Sequence, residues 1–173
     1  MKRFLTLILL VVAFVGCDKF DDNNLDRYVK KGAKSVEVQK AIEILSEGTG
    51  FWYGNADKSF DIRDGQMVPF NESGVLGYGF EKYEFESDST INIYSYAIAY
   101  GERWINRGYI DWESMKIYEG RPESTVYYKI RGVTDNYLIL EDCLLDVIIV
   151  CERMSEAQVA KYLSNTEFVD KRK

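Results

Sequence analysis

Residues 75–120 read VLGYGFEKYEFESDSTINIYSYAIAYGERWINRGYIDWESMKIYEG, and their period decides the fold. Polar and apolar residues alternate close to every second position, the spacing of a half-buried β-strand. Tyr94, Tyr96, Ile98 and Tyr100 share one face of such a strand, and Ile93, Ser95, Ala97 and Ala99 make the other. Ser87-Asp88-Ser89 and Gly101-Glu102 break the alternation with turn-forming residues. The stretch predicts strands over 75–86, 90–100, 102–111 and 113–119 joined by short turns.

The same period continues on both sides. Strands are predicted at 51–55, 125–131, 136–142 and 147–153, with turns at Gly120-Arg121-Pro122 and Asp135-Asn136. Consecutive strands with short connections favour an antiparallel meander. Eight of them in about 100 residues close into an up-and-down barrel, which leaves no free edge. Ser35 is placed to cap a helix running to about Glu47, with Val38, Ile42 and Leu45 on one face, and Gly48 and Gly50 stop it. Ser155-Glu156-Ala157-Gln158 is a capping-box pattern for a second helix, whose apolar face is Val159, Tyr162 and Leu163. The expected fold is all-β: an eight-stranded antiparallel up-and-down barrel with a short helix before it and a helix after it.

The N-terminus has a separate pattern. Lys2 and Arg3 precede a run from Phe4 to Val15 whose only polar member is Thr6, and Gly16 and Cys17 follow. A basic start, a short apolar run and a small residue describe a secretory signal peptide. The run is shorter than the roughly 20 apolar residues that span a bilayer. Phe14-Val15-Gly16-Cys17 resembles the bacterial lipobox, Leu-Ala/Ser-Gly/Ala-Cys, with Phe14 standing where Leu is usual. The resemblance implies acylation of Cys17 and a lipid anchor in the bacterial cell envelope, at the outer membrane, on its periplasmic or surface face. An ordinary signal peptide with a chance Cys, or a buried N-terminal helix, is the alternative. The expected organisation is a signal peptide at 1–16, a flexible polar tether at 17–35, the barrel domain at 36–165 and a charged tail at 166–173. The acidic cluster after Cys17 resembles the surface-export signals of Bacteroidetes-type lipoproteins, interrupted by Phe20.

Composition narrows the function. The 13 Tyr and 2 Pro suit strands. Without Lys2 and Arg3, 20 basic side chains face 28 acidic ones, a net charge of −8. That balance argues against nucleic acid and against adsorption to anionic lipid. Histidine is absent, which removes Ser-His-Asp and Cys-His nucleophiles and most zinc sites. Glu81/Glu84 and Asp61/Asp64 are carboxylate pairs of the kind a glycosidase needs, but so acidic a chain produces such pairs by chance. Asp142 and Asp146 lack the ligand spacing of a calcium loop. No catalytic residue, metal or cofactor is expected. Cys143 and Cys151 lie on a predicted hairpin in an exported chain. A disulfide between them is permitted if the register sets them opposite, and two isolated buried thiols are the alternative.

Gly50-Phe51-Trp52 opening the first strand, Thr134-Asp135-Asn136-Tyr137 in a late turn and Arg153 ending the last strand together resemble the lipocalins. More narrowly, they resemble the lipocalin-like domains of small Bacteroidetes lipoproteins, with Tyr137 one place later than in the family's Thr-Asp-Tyr. The resemblance implies a calycin-like barrel in which Trp52 plugs one end, Arg153 stacks across it, and Gly50 allows the tight entry. These are structural roles. A barrel of this kind hosts transport, inhibition, enzyme chemistry or adhesion, so the function transfers less well than the fold. The expected function is a lipid-anchored, non-catalytic protein binding a small apolar or amphipathic molecule. The ligand-binding candidates are Tyr100, Trp104 and Trp112, at the end away from Trp52, because aromatics combine apolar area with a polar tip. The alternative is a glycan- or protein-interaction module using exposed Tyr and Trp platforms. Whether Tyr94 and Tyr96 face inward, and the oligomeric state, stay open.

Overall fold

The structure is a computed structural model that describes Tyr28 and residues 37–70, 75–98, 101–121 and 126–172, with the backbone alone for 75–78. The signal peptide, Cys17, Ser35 and Tyr100 lie outside the described residues.

Helix α1 (Val38–Ser46) precedes β1 (Phe51–Asn55), and a 3-10 turn at Ala56–Lys58 leads into β2 (Phe60–Arg63) and β3 (Gln66–Pro69). There follow β4 (Val75–Phe85), β5 (Thr90–Ala97), β6 (Glu102–Asp111), β7 (Lys116–Glu119), β8 (Val126–Val133), β9 (Tyr137–Asp142) and β10 (Val147–Arg153). Helix α2 (Glu156–Leu163) and a two-residue β11 (Val169–Asp170) end the chain. β1 and then β4 to β10 pair in sequence, each antiparallel to the next. β10 returns to β1 with Trp52 opposite Arg153 and Gly54 opposite Cys151. The result is a closed 8-stranded antiparallel barrel with one helix before it and one after it.

Two features depart from the expected strands. β7 starts at Lys116 rather than 113, because residues 112–115 form a turn. The Asp111 carboxylate accepts the N–H groups of Glu113 (3.0 Å) and Ser114 (3.2 Å), and Met115 takes a φ of 54°. The β2–β3 hairpin is an addition. Its turn is Asp64-Gly65, both with positive φ (53° and 73°), the pair that matches strand twist in a two-residue hairpin. It lays Phe60 and Met67 over Ile139, Ile148 and Val150, which point out of the barrel.

Two strands share an edge between partners. β10 pairs with β2 at Val147 and Ile148 and with β1 from Cys151 to Arg153. β6 pairs with β7 from Gly108 to Asp111 and, in parallel, with β11 at Trp104 and Ile105. α2 begins with the expected capping box: Ser155 Oγ accepts the Gln158 N–H at 3.3 Å, and Gln158 Oε1 accepts the Ser155 N–H at 2.8 Å. Its Leu163 packs with Phe80 and Met154 on the outer face of the barrel.

Glycine decides two close approaches. A Cβ on Gly79, whose φ is 80°, would meet the Tyr96 carbonyl oxygen at 1.8 Å. A Cβ on Gly108 would meet Ile93 Cδ1 at 2.6 Å, so the missing side chain is what lets Ile93 fill the interior.

Candidate functional site

One end of the barrel is closed by side chains from three elements. Trp52 is buried, and its indole N–H donates to the Leu45 carbonyl of α1 at 3.2 Å. The Arg153 guanidinium lies 4.5 Å from the indole centre and donates to the carbonyls of Ile44 (2.6 Å) and Glu47. A planar cation over a π face is attractive, and here it also satisfies carbonyls at the C-terminal end of α1. Gly50, at a φ of 67°, makes the bend between helix and strand. Thr134 and Tyr137 close the β8–β9 turn, with Thr134 Oγ1 accepting the Tyr137 N–H at 3.0 Å.

The ligand candidates separate. Trp104 lies on the inward face beside Ser95, toward the opposite end, with Lys171 Nζ 4.8 Å from its ring centre. Trp112 is a correction: it lies at the Trp52 end. Its indole N–H donates to the Asp88 carbonyl, and its ring stacks on Phe85 at 6.5 Å. β6 runs from one end of the barrel to the other, and eight residues of strand span about 26 Å. Trp104 and Trp112 therefore share neither a mouth nor a platform. The turn at Gly101 is at the end opposite Trp52, as is the end of β7 at Glu119. Tyr94 and Tyr96 face outward. Tyr94 donates to Glu84 and meets Phe168 edge-on, and Tyr96 lies 4.7 Å under the Arg103 guanidinium.

For the cysteine pair the register condition for a disulfide is not met and the alternative of isolated thiols holds, with the correction that only one of them is buried. Cys143 and Cys151 are free thiols, the first exposed and the second buried. Cys151 stands opposite Leu138, whereas Cys143 lies beyond Asp142, in the turn that Val147 closes. Several residues of strand separate them, far more than the roughly 6 Å between Cα atoms that a disulfide tolerates. Glu81 and Glu84 point to opposite faces, so they are no catalytic pair. Asp142 caps its turn by accepting the N–H groups of Leu144 and Leu145. Among the described residues no group of three or more His, Cys, Asp or Glu could hold a metal.

The polar centre of the molecule is one that the sequence reading passed over. Glu81, paired with Trp52 on one side and Ser95 on the other, points into the barrel. Its Oε1 accepts from the hydroxyls of Tyr127 (3.0 Å), Tyr128 (3.4 Å) and Ser95 (3.5 Å), and its Oε2 from Tyr83. A break in the β7–β8 register beside Tyr118 lets the neighbours Tyr127 and Tyr128 both reach inward, with ring centres 4.4 Å apart. Burial pushes the Glu81 carboxyl above its usual range, against the opposing pull of the four hydroxyls. Burial and then the Glu81 charge push Tyr83, Tyr128 and Cys151 well up, so each stays protonated at neutral pH.

A small cavity lies against this cluster, lined by Trp52, Gly54, Glu81, Tyr83, Tyr128 and Cys151 among others. It leaves about 20 Å³ for the centres of water-sized spheres, room for a water or a head group but not for a whole drug-sized ligand. Fold and interior define a class of protein: a small closed β-barrel, plugged at one end, with a single carboxylate ringed by hydroxyls in its interior. No family model, curated protein or solved structure matches the chain.

Proposed function

We propose that the chain is a lipid-anchored, lipocalin-like protein of the bacterial cell envelope that binds a small amphipathic molecule in its barrel without catalysis. One observation carries the reading. The interior holds a cavity beside a polar cluster, in a barrel plugged at one end by Trp52, Arg153 and α1, with Trp52 forming part of the cavity wall. Small-molecule sites combine an apolar enclosure with a few convergent polar groups. Entry is from the end that carries Trp104. The lipobox-like Phe14-Val15-Gly16-Cys17 supports the anchor and the envelope location. Native mass spectrometry of the protein extracted from envelope membranes tests both parts. A mass increment from acyl chains on Cys17 and a second, dissociable small molecule are expected. Full-length protein with an uncleaved N-terminus and no adduct would overturn the reading.

The second reading, an interaction module on a filled barrel, is favoured by the small size of the cavity and by Leu144 and Leu145. These stand exposed in the β9–β10 turn, at 71% and 58% of their surface.

A further inference from the structure

Resting on the barrel reading above, the chemistry of the interior specifies the ligand's head group. Each hydroxyl around Glu81 has one proton. Tyr83, Tyr127, Tyr128 and Ser95 all direct theirs at the carboxylate. The Trp52 indole N–H is committed to the Leu45 carbonyl. Of these groups Trp52, Glu81, Tyr83 and Tyr128 line the cavity, beside aliphatic Leu138, Leu140 and Ile149, and what they present to it is oxygen lone pairs, ring faces and a carboxylate. Cys151 adds only a weak donor. Among the described residues no lysine or arginine pairs with Glu81.

An acceptor-only, π-lined space around an uncompensated carboxylate is complementary to a cation that donates hydrogen bonds. It is hostile to a carboxylate or phosphate head, which would meet like charge and no free donor. We infer that the barrel binds a primary amine in its protonated form, the ammonium head seated against Glu81 and the apolar tail directed along Trp104. The cavity has room for an ammonium head, which is about the size of a water. Trp104 follows Ser95, and Ser95 follows Glu81, along one row of inward residues, so the tail is placed beside the Trp104 ring, against which Lys171 also lies.

Calorimetric titration of the full chain at neutral pH with hexylammonium, hexanol, hexanoate and ammonium chloride tests this. Hexylammonium should bind at least tenfold more tightly than hexanol, and hexanoate should not bind. Glu81→Gln, its fold checked by circular dichroism, should remove the preference for hexylammonium over hexanol. A second arm needs no variant. As pH falls and Glu81 is protonated, hexylammonium should weaken on wild-type protein while hexanol stays constant. Equal binding of hexanol and hexylammonium, or a pH-independent amine affinity, overturns the amine inference and leaves the barrel reading standing. Ammonium chloride matching hexylammonium at equal concentration overturns the amphiphile and makes this an inorganic cation site. If no amphiphile binds the wild type, the barrel reading falls first.

Discussion

Truncating Trp52 to alanine probes the plug on which the closed end depends. The side chain is 1% exposed, and removing so large a buried ring costs about 3–5 kcal/mol through lost contacts and the cavity left behind. The Leu45 carbonyl also loses the indole donor at 3.2 Å, a further loss of about 1 kcal/mol. The guanidinium at 4.5 Å loses a ring face worth about 0.5–2 kcal/mol. These terms overlap, because the truncation figure already contains part of the contact loss. Arg153 also keeps its bonds to the Ile44 and Glu47 carbonyls, so α1 stays tethered. The expected total is about 5 kcal/mol, comparable with the whole stability of many domains. Urea denaturation of the full chain, followed by circular dichroism, should show a large fall in midpoint with an unchanged slope. Trp52→Phe keeps most of the apolar burial and loses the N–H, so about 1–2 kcal/mol is expected. A Trp52→Ala loss below about 1.5 kcal/mol at constant slope would refute the plug, since the ring could then not fill the space assigned to it.

Gly79→Ala should prevent folding or melt far below wild type, because its Cβ would lie 1.8 Å from the Tyr96 carbonyl. Gly101→Ala, at a φ of 65° with nothing within 4 Å, should cost only about 1–2 kcal/mol of backbone strain. Similar melting temperatures for the two would contradict the close β4–β5 approach. A thiol reagent should label Cys143 in the native protein and Cys151 only after unfolding, as mapped by peptide mass; a Cys143–Cys151 disulfide peptide would contradict the register. The raised Glu81 carboxyl stabilises the fold in its protonated form, fully below the unfolded value near 4.5, and that stability is lost as pH rises through the higher folded value. Glu81→Gln should therefore gain stability relative to wild type as pH rises through this range and keep that gain above it, and a stability difference that is flat across the range would count against a perturbed Glu81.

The strands were legible wherever parity and burial agree. β6 and β10 have the bounds that the alternation predicts, because turn-forming residues flank them and apolar residues recur at every second inward position over most of their length. The β2–β3 hairpin carried its own signal in Asp64-Gly65, but four-residue strands give period two little length in which to register. Trp104 and Trp112 illustrate a different limit. Their even spacing puts both on one face, and only the length of the strand between them separates the ends. The Tyr127–Tyr128 pair was not legible at all, since parity sends neighbours to opposite faces and the register break beside Tyr118 cancels it. Glu81 was hidden by a degeneracy. In Phe80-Glu81-Lys82-Tyr83, either parity buries an aromatic, because Phe80 lies beneath α2 while Tyr83 lies inside the barrel.

Glu81 is also where the chain departs from its own practice with carboxylates. Glu152 is partly buried on the outer face and is paired with Lys58, with Tyr53 and Asn55 as further donors. Glu141, about as enclosed, is paired with Arg131. Glu81 is half-buried as they are, points into the barrel, and has hydroxyls alone. Hydroxyl donors satisfy the lone pairs of a carboxylate but leave its charge uncompensated, and an apolar residue of similar size would make a more stable interior. A sequence otherwise consistent from strand period to capping box concentrates such a conflict where a fold serves something other than stability. The charge left over in the barrel faces the cavity, and the partner that would balance it is one that enters from outside.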